Sequence, residues 1–135
     1  MSYEVPIERG KIREFARATR TRHPAYEGVA AVIPPTFLTT ARLSWEPTGE
    51  SPSKALGFEL ARVLHGEEEY EFHGPPPRAG QTLTVTTRLG DTWEKEGRRG
   101  GAMRFAKVVT EFRDESGALV ATQTSTLLET AKKGT

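Results

Sequence analysis

Phe15–Phe37, FARATRTRHPAYEGVAAVIPPTF, is the stretch whose reading decides the fold. Its first residues continue a helical pattern. Ile12, Phe15, Ala16 and Thr19 fall at i, i+3, i+4 and i+7, which predicts a helix from Glu8 to Thr19. No Ser, Thr, Asp or Asn caps its start, although Glu8 suits the positive end of the helix dipole. From Arg20 to Pro35 the breakers Pro24, Gly28, Pro34 and Pro35 predict an irregular loop. Thr36 is then a suitable N-cap for a second helix running to about Trp45, with Phe37, Leu38, Ala41 and Trp45 on its apolar side.

On either side of this stretch the pattern changes. Tyr3, Val5 and Ile7 share one face of a short strand. Pro47–Lys54 reads as a polar loop carrying Glu50, Ser51 and Ser53, and Ala55–Leu60 as a further helical turn. From Ala61 onward the period is two. Tyr70 and Phe72 alternate with Glu69 and Glu71, and Leu83, Val85, Thr87 and Leu89 alternate with Thr84, Thr86 and Arg88. Met103 and Phe105 hold one parity while Ala106, Val108, Thr110 and Phe112 hold the other, so a bulge or a strand buried on both faces is expected there. Asp114–Gly117 is a turn, and Ala118–Glu129 a last Thr-rich strand. Long strands following two helices predict an α+β fold, an antiparallel sheet wrapped around a central helix. Periodicity alone also permits a cystatin-like or other cone-shaped α+β arrangement.

Composition narrows the function classes. The chain has 135 residues, consistent with one domain spanning 1–135. Charged residues make up 27% and leave a net charge of +1, which gives no electrostatic footprint for nucleic acid. The absence of cysteine excludes disulfides, thiolate catalysis and zinc–thiolate sites. No basic start precedes an apolar run, and no window approaches a membrane span; a soluble cytoplasmic protein is expected.

Four pieces carry a family resemblance: KIREFARAT (Lys11–Thr19), VIPPTF (Val32–Phe37), VLHGEEEYEFHGPPPRAGQTLTV (Val63–Val85) and VVTEFRDESGALVATQTSTLLE (Val108–Glu129). Together they resemble the N-terminal, FAS1-like branch of the MaoC-like dehydratase family, in which LHGEQxFxxHxPxxAGxxL is a habitual pattern. The resemblance implies the hot-dog fold. It also implies an acyl-CoA or acyl-carrier-protein thioester as substrate, no cofactor and no metal, and hydration or dehydration of the acyl chain.

Members of that family carry an Asp and, five residues later, a His in the loop after the first helix. Laid on the pattern FARAxGDxNPxH, this chain has Thr21 at the Asp position and Tyr26 at the His position. Hydrating an enoyl thioester needs a base to activate water and an acid to protonate the α-carbon, and a His held by an Asp does both near neutrality. A threonine hydroxyl cannot orient an imidazolium, and a phenol is a poor base. The resemblance therefore implies a non-catalytic subunit of a heteromeric (R)-specific enoyl-thioester hydratase or 3-hydroxyacyl-thioester dehydratase. Its partner would be a dyad-bearing MaoC-like subunit, or a second copy of itself in a homodimer. Oxyanion-stabilising N–H groups would lie at Thr36 and Phe37, and the acyl channel would be lined by Phe37, Leu38, Ala41 and His65.

Other residues were candidates. His65 and His73 flank an expected strand, with His23 in the loop, and none has a metal-binding spacing with a second His; Glu67, Glu68 and Glu69 are consecutive and cannot converge. Arg17, Arg20 and Arg22 form one basic group, and Lys95, Arg98, Arg99 and Arg104 another; each suits a CoA phosphate, an acidic carrier protein, or plain solvated surface. Gly97–Gly101 resembles a hairpin loop more than a phosphate loop. Asp91 reads as a turn former or an acid/base residue. Two alternatives stay open. One is a stand-alone hydratase or thioesterase using His65 or Asp91, and the other an acyl-CoA-binding homodimer without chemistry.

Overall fold

The computed structural model describes residues 2–49 and 51–132, the side chains of Pro52 and Ser53 excepted. Strand β1 (Ser2–Pro6) is followed by helix α1 (Arg9–Ala18), a 3-10 turn at Pro24–Tyr26 and a short helix α2 (Thr39–Ser44). Two further 3-10 turns, Pro52–Leu56 and Leu60–Arg62, lead into strands β2 (Val63–Phe72), β3 (Thr82–Glu96), β4 (Ala102–Arg113) and β5 (Leu119–Glu129). The strands form one antiparallel sheet in the order β1-β3-β4-β5-β2. This is the helix-covered antiparallel sheet that the patterning predicts.

Helix α1 starts and stops as its sequence dictates. Glu8 is the N-cap without a side-chain capping bond, and Ile12 and Ala16 are buried on the inward stripe. At the other end the N–H groups of Arg20 and Thr21 donate to the carbonyl oxygens of Arg17 (3.0 Å) and Ala16 (2.9 Å). That pair of bonds is a Schellman closure, which needs a left-handed residue just past the helix. Arg20 occupies that position with φ 58°, the one non-glycine with positive φ among the described residues.

The second helix is shorter than expected. Thr36 does not cap it; Leu38 is the N-cap, and the chain reaches α2 through successive three-residue turns. Phe37 N–H donates to Pro34 O at 3.0 Å, Thr39 to Thr36 at 3.2 Å and Thr40 to Phe37 at 2.9 Å. The physical reason is Pro34–Pro35. The second proline pushes the first away from helical geometry, so the segment enters the helix by a tight turn and not by a capping hydroxyl. Phe37 and Leu38 are nevertheless inside, 2% and 1% exposed, in a cluster with Val5, Ile7, Ile12, Leu83, Val85, Phe112 and Ala121. Phe15 meets Phe37 edge to face at 5.6 Å.

Register explains the alternation seen in the sequence. Residues on the helix-facing side line up in rows across β3, β4, β5 and β2. One row is Val85–Phe112–Ala121–Phe72, the next Thr87–Thr110–Gln123–Tyr70, and the next Leu89–Val108–Ser125–Glu68. The two parities in β4 are apolar residues on both faces of one regular strand: its register with β5 is unbroken from Arg104 to Phe112, so Met103 and Phe105 face away from Ala106 and Val108. The bulge sits in β3, where Gly90 and Asp91 together oppose Lys107. Asp91 is therefore an exposed bulge residue inside a long strand, not a turn former. Beyond the bulge Trp93 and Phe105 stack at 5.3 Å on the sheet's other face. Gly97–Gly101 is the hairpin loop expected, closed by Gly97 N–H to Gly101 O at 2.9 Å.

The far end of the sheet is held by charge. Glu129, 4% exposed, accepts from the N–H of Glu59 and from Arg104 Nε at 2.8 Å, with Arg62 Nη2 at 3.4 Å. Arg104 also lies 4.8 Å over the Phe58 ring. This cluster fastens the chain before β2 to the ends of β4 and β5. The Glu59 N–H, followed by the two arginines, holds the Glu129 carboxyl below the ordinary glutamate range. A depressed carboxyl contributes stability above its unfolded pKa and loses that contribution as pH falls through the folded value. Thermal melts from pH 7 to pH 3 are expected to show Glu129→Gln well below wild type at neutral pH, with the gap closing in acid. A gap independent of pH would contradict this assignment.

Candidate functional site

The loop that follows α1 is positioned from both sides. The Schellman closure sets its start, and a β-bridge between Val32 and Arg78 sets its return, reinforced by Val32 N–H to Ala25 O at 2.8 Å and Ile33 N–H to Pro77 O at 3.1 Å. Arg78 Nη1 adds a bond to Ala30 O at 2.9 Å. Within the loop, His23 caps the Pro24–Tyr26 turn, its Nδ1 accepting from Ala25 N–H at 3.1 Å. The His23 and Tyr26 rings lie 5.7 Å apart, tilted.

Two depressions flank the loop. One, about 400 Å³, is apolar and is lined by His23, Tyr26, Val32, Ile33, Pro35 and Phe72 among others. The other, about 700 Å³ and open, is lined by Arg17, Arg20, Thr21, Arg22 and Glu27. The two dyad positions thus line different depressions: Thr21 belongs to the basic one and Tyr26 to the apolar one.

The residues expected at an oxyanion site and along a channel are placed as follows. Thr36 is exposed, and the Phe37 N–H is already bonded to Pro34 O. Phe37 and Leu38 are core residues of this chain. Ala41 is buried and reaches a narrow crevice of about 20 Å³ between α2 and the sheet, shared with Tyr3, Arg42, Glu46, Thr87, Thr110, Gln123 and Ser125. Burial pushes the Tyr3 hydroxyl up to about 12, helped by Glu46 and opposed by Arg42.

His65 lies inside β2, not beside it, on a register shift where Gly66 is bulged. Its side chain is 61% exposed and its Nδ1 sits 3.3 Å from Glu68 Oε1. Glu68 in turn accepts from Ser125 Oγ at 2.7 Å and from Gln123 Nε2 at 3.0 Å. Gln123 also donates to Tyr70 Oη at 3.3 Å. Burial, more than any neighbour, raises the Tyr70 pKa. Sequence reasoning missed this network. The available signal was parity: Tyr70, Gln123 and Ser125 occupy inward rows where an apolar residue is the rule.

The remaining candidates separate. His73 Nε2 is 2.9 Å from Thr122 Oγ1, an ordinary strand-end bond. Arg104 belongs to the Glu129 cluster and Lys95 lies over Phe105 at 5.7 Å. Arg98 and Arg99 are exposed in the β3–β4 loop, beyond the Arg104–Glu129 pair, whereas Tyr26 sits against Phe72, which pairs with Ala121. Eight residues of β5 separate those levels, about 27 Å. Arg20 and Arg22 therefore cannot share one phosphate with Arg98 and Arg99 within a protomer. Ser51 lines the crevice, while Glu50 and the Ser53 side chain lie outside the described residues. Among the described residues no His, Asp and Glu cluster could hold a metal ion, and no helix is long and apolar enough to cross a membrane.

The sheet order and the covering helical segment define the hot-dog fold, which the chain shares with a MaoC-like dehydratase at TM-score 0.79 and 24% identity, covering 97% of this chain and 40% of that one. A family model for the FAS1-like dehydratase domain region matches residues 2–123, and the chain belongs to that family. The UPF0336 protein of Streptomyces griseus is 32% identical over 140 residues, covering 96% of this chain and 87% of its own length. That of Mycobacterium tuberculosis is 30% identical over 133 residues, covering 90% and 75%. Among solved structures, the HadBC (3R-hydroxyacyl-ACP dehydratase) complex of Mycobacterium tuberculosis superposes with TM-score 0.74 at 21% identity, covering 95% of this chain and 94% of that one. The ChsH1–ChsH2 complex from the same organism gives TM-score 0.75 at 18% identity, with coverages of 100% and 85%.

The Arg20 conformation yields a stability prediction. Left-handed φ costs a side-chain-bearing residue roughly 1–2 kcal/mol, and glycine adds ~0.4–1 kcal/mol of unfolded-chain freedom. Arg20→Gly is expected to raise stability by about 0.5–1 kcal/mol, read as a higher urea midpoint at unchanged m-value. A lower midpoint would mean that the Arg20 side chain is held by contacts that outweigh its backbone strain.

Proposed function

We propose that this chain is a non-catalytic hot-dog subunit of an (R)-specific enoyl-thioester hydratase or 3-hydroxyacyl-thioester dehydratase, paired with a subunit that supplies the Asp/His dyad. The observation that carries this reading is the pair of residues at the dyad positions: Thr21 and Tyr26 stand where the family pattern has Asp and His, and neither a hydroxyl nor a phenol is a competent base or orienting acid at neutral pH. The fold it shares with HadBC and with ChsH1–ChsH2, both two-subunit complexes, supports a role as one member of a pair.

The sheet supports the same reading. β2 is an edge strand, and its outer N–H and C=O groups are free to pair with a neighbouring chain. Leu43, Leu60 and Leu64 are exposed on α2, on the turn before β2 and on β2 itself, an apolar margin suited to a partner of the same fold. In such a pair this chain completes the double sheet and supports the partner's loop, and the acyl group of a CoA or carrier-protein thioester passes between the subunits. The purified chain is expected to hydrate crotonyl-CoA no faster than buffer, and co-expression with a dyad-bearing MaoC-like subunit to restore turnover. Robust activity of the lone chain would refute the proposal.

A second reading rests on His65 and Glu68. A carboxylate 3.3 Å from Nδ1 orients an imidazole and leaves Nε2 for proton transfer, which suits a stand-alone hydratase or thioesterase. Were this the mechanism, His65→Ala would cut the lone chain's turnover at least about tenfold and Asp91→Asn would leave it unchanged, Asp91 being exposed on the bulge.

A further inference from the structure

We propose that the outer face of the sheet, away from the helices, docks a second copy of this chain packed back to back. The core cluster gathers on the helix-facing side alone. On the outer side the register sets four apolar residues in one row: Trp93 on β3, Phe105 on β4, Leu128 on β5 and Leu64 on β2. Trp93 and Phe105 stack with their ring planes 8° apart. The first three are only half-buried, and Leu64 is 55% exposed. A sheet face that meets only water alternates to polar residues. An apolar row crossing four strands, two aromatic rings included, is what a packed interface covers.

Charge selects the occupant. A parallel row on the same face runs Arg88–Val109–Thr124–Glu69, from β3 to β2. Arg88 and Glu69 are both exposed, and neither has an ion-pair partner among the described residues. Glu67 and Glu71 extend the acidic side along β2, and Lys95 the basic side along β3. A face that is basic along one side and acidic along the other complements its own rotated copy, and suits neither a polyanion nor a polycation. A two-fold axis parallel to the strands, between β4 and β5, lays β3 of one copy over β2 of the other and keeps each row at its own level. Trp93 then meets Leu64 of the second copy, Phe105 meets Leu128, and Arg88 meets Glu69, each contact made twice. Lys107, opposite the bulge, falls between Asp91 of its own chain and Glu67 of the copy. An axis across the strands would also set the apolar row on itself, but it would leave Arg88 and Glu69 unmet. The rows from Trp93 to Thr86 cover roughly 20 Å by 20 Å, small for a stable interface, so the association is reversible. It uses neither the loop after α1 nor the outer backbone groups of β2, and so does not rest on the proposed function.

Sedimentation velocity of the full chain tests this. Its mass is expected to double between about 1 µM and about 1 mM. Arg88→Glu and Glu69→Arg should each weaken the association about fivefold or more, and the chain carrying both should recover it to within about twofold of wild type. Within one chain the two residues stand three strand spacings apart, ~14 Å, so that recovery must come from the second copy. Both are exposed strand positions whose exchange leaves the core intact, which thermal melts check. Leu60→Glu, on the turn before β2, should leave the association unchanged. Because the chain has no cysteine, a second readout is available. Arg88→Cys mixed with Glu69→Cys in a glutathione buffer should give more disulfide-linked dimer than either variant alone. A single mass at every concentration, no recovery in the doubly exchanged chain, no excess of the mixed disulfide, or loss of association in Leu60→Glu but not in Arg88→Glu would each overturn the proposal.

Discussion

Phe15 and Phe37 meet edge to face, and through that contact α1 and the central segment share one core with β1 and the apolar row of the sheet. Both rings lie at the ends of the loop they enclose. Fixing them fixes where Arg20 leaves the helix and where Pro34 re-enters the core. The Val32–Arg78 bridge then has only to align a segment already tethered at both ends. The depressions on either side of the loop exist because its ends cannot move independently.

The rest of the sheet follows a gradient set by the same core. Its row nearest Phe37 is apolar, and the next rows admit threonine, glutamine, serine and a carboxylate. Polar groups at those positions are tolerated because they satisfy each other: Thr87 with Thr110, and Gln123 and Ser125 with Glu68. No buried side-chain nitrogen or oxygen among the described residues lacks a partner. The polar rows end at the Glu129 cluster, where a buried carboxylate is compensated by two arginines and a backbone N–H, the compensation that burying such a charge requires.

Much of this was legible in the chain. The i, i+3, i+4 spacing of Ile12, Phe15 and Ala16 gave α1, and the alternation through Leu83, Val85 and Thr87 gave the inward face of β3, since both depend on local geometry. Thr36 misled, because a capping hydroxyl is a local preference that two consecutive prolines override. The two parities of β4 were visible and reflect apolar residues on both faces of one regular strand, whereas the bulge was not legible: it belongs to a pair of strands, and the extra residue lay in β3. Asp91 was misread for the same reason.

What the sequence determined by itself was the pattern: which faces are apolar and where the chain must turn. Whether two residues five apart in a loop converge or part is another matter, because it depends on contacts with Pro77, Arg78 and Phe72 some fifty residues away. Tertiary structure alone placed Thr21 in the lining of the basic depression and Tyr26 in that of the apolar one, and gathered Glu68 with Gln123 and Ser125 across two strands. Side-chain periodicity is a property of one element; convergence is a property of how elements are packed.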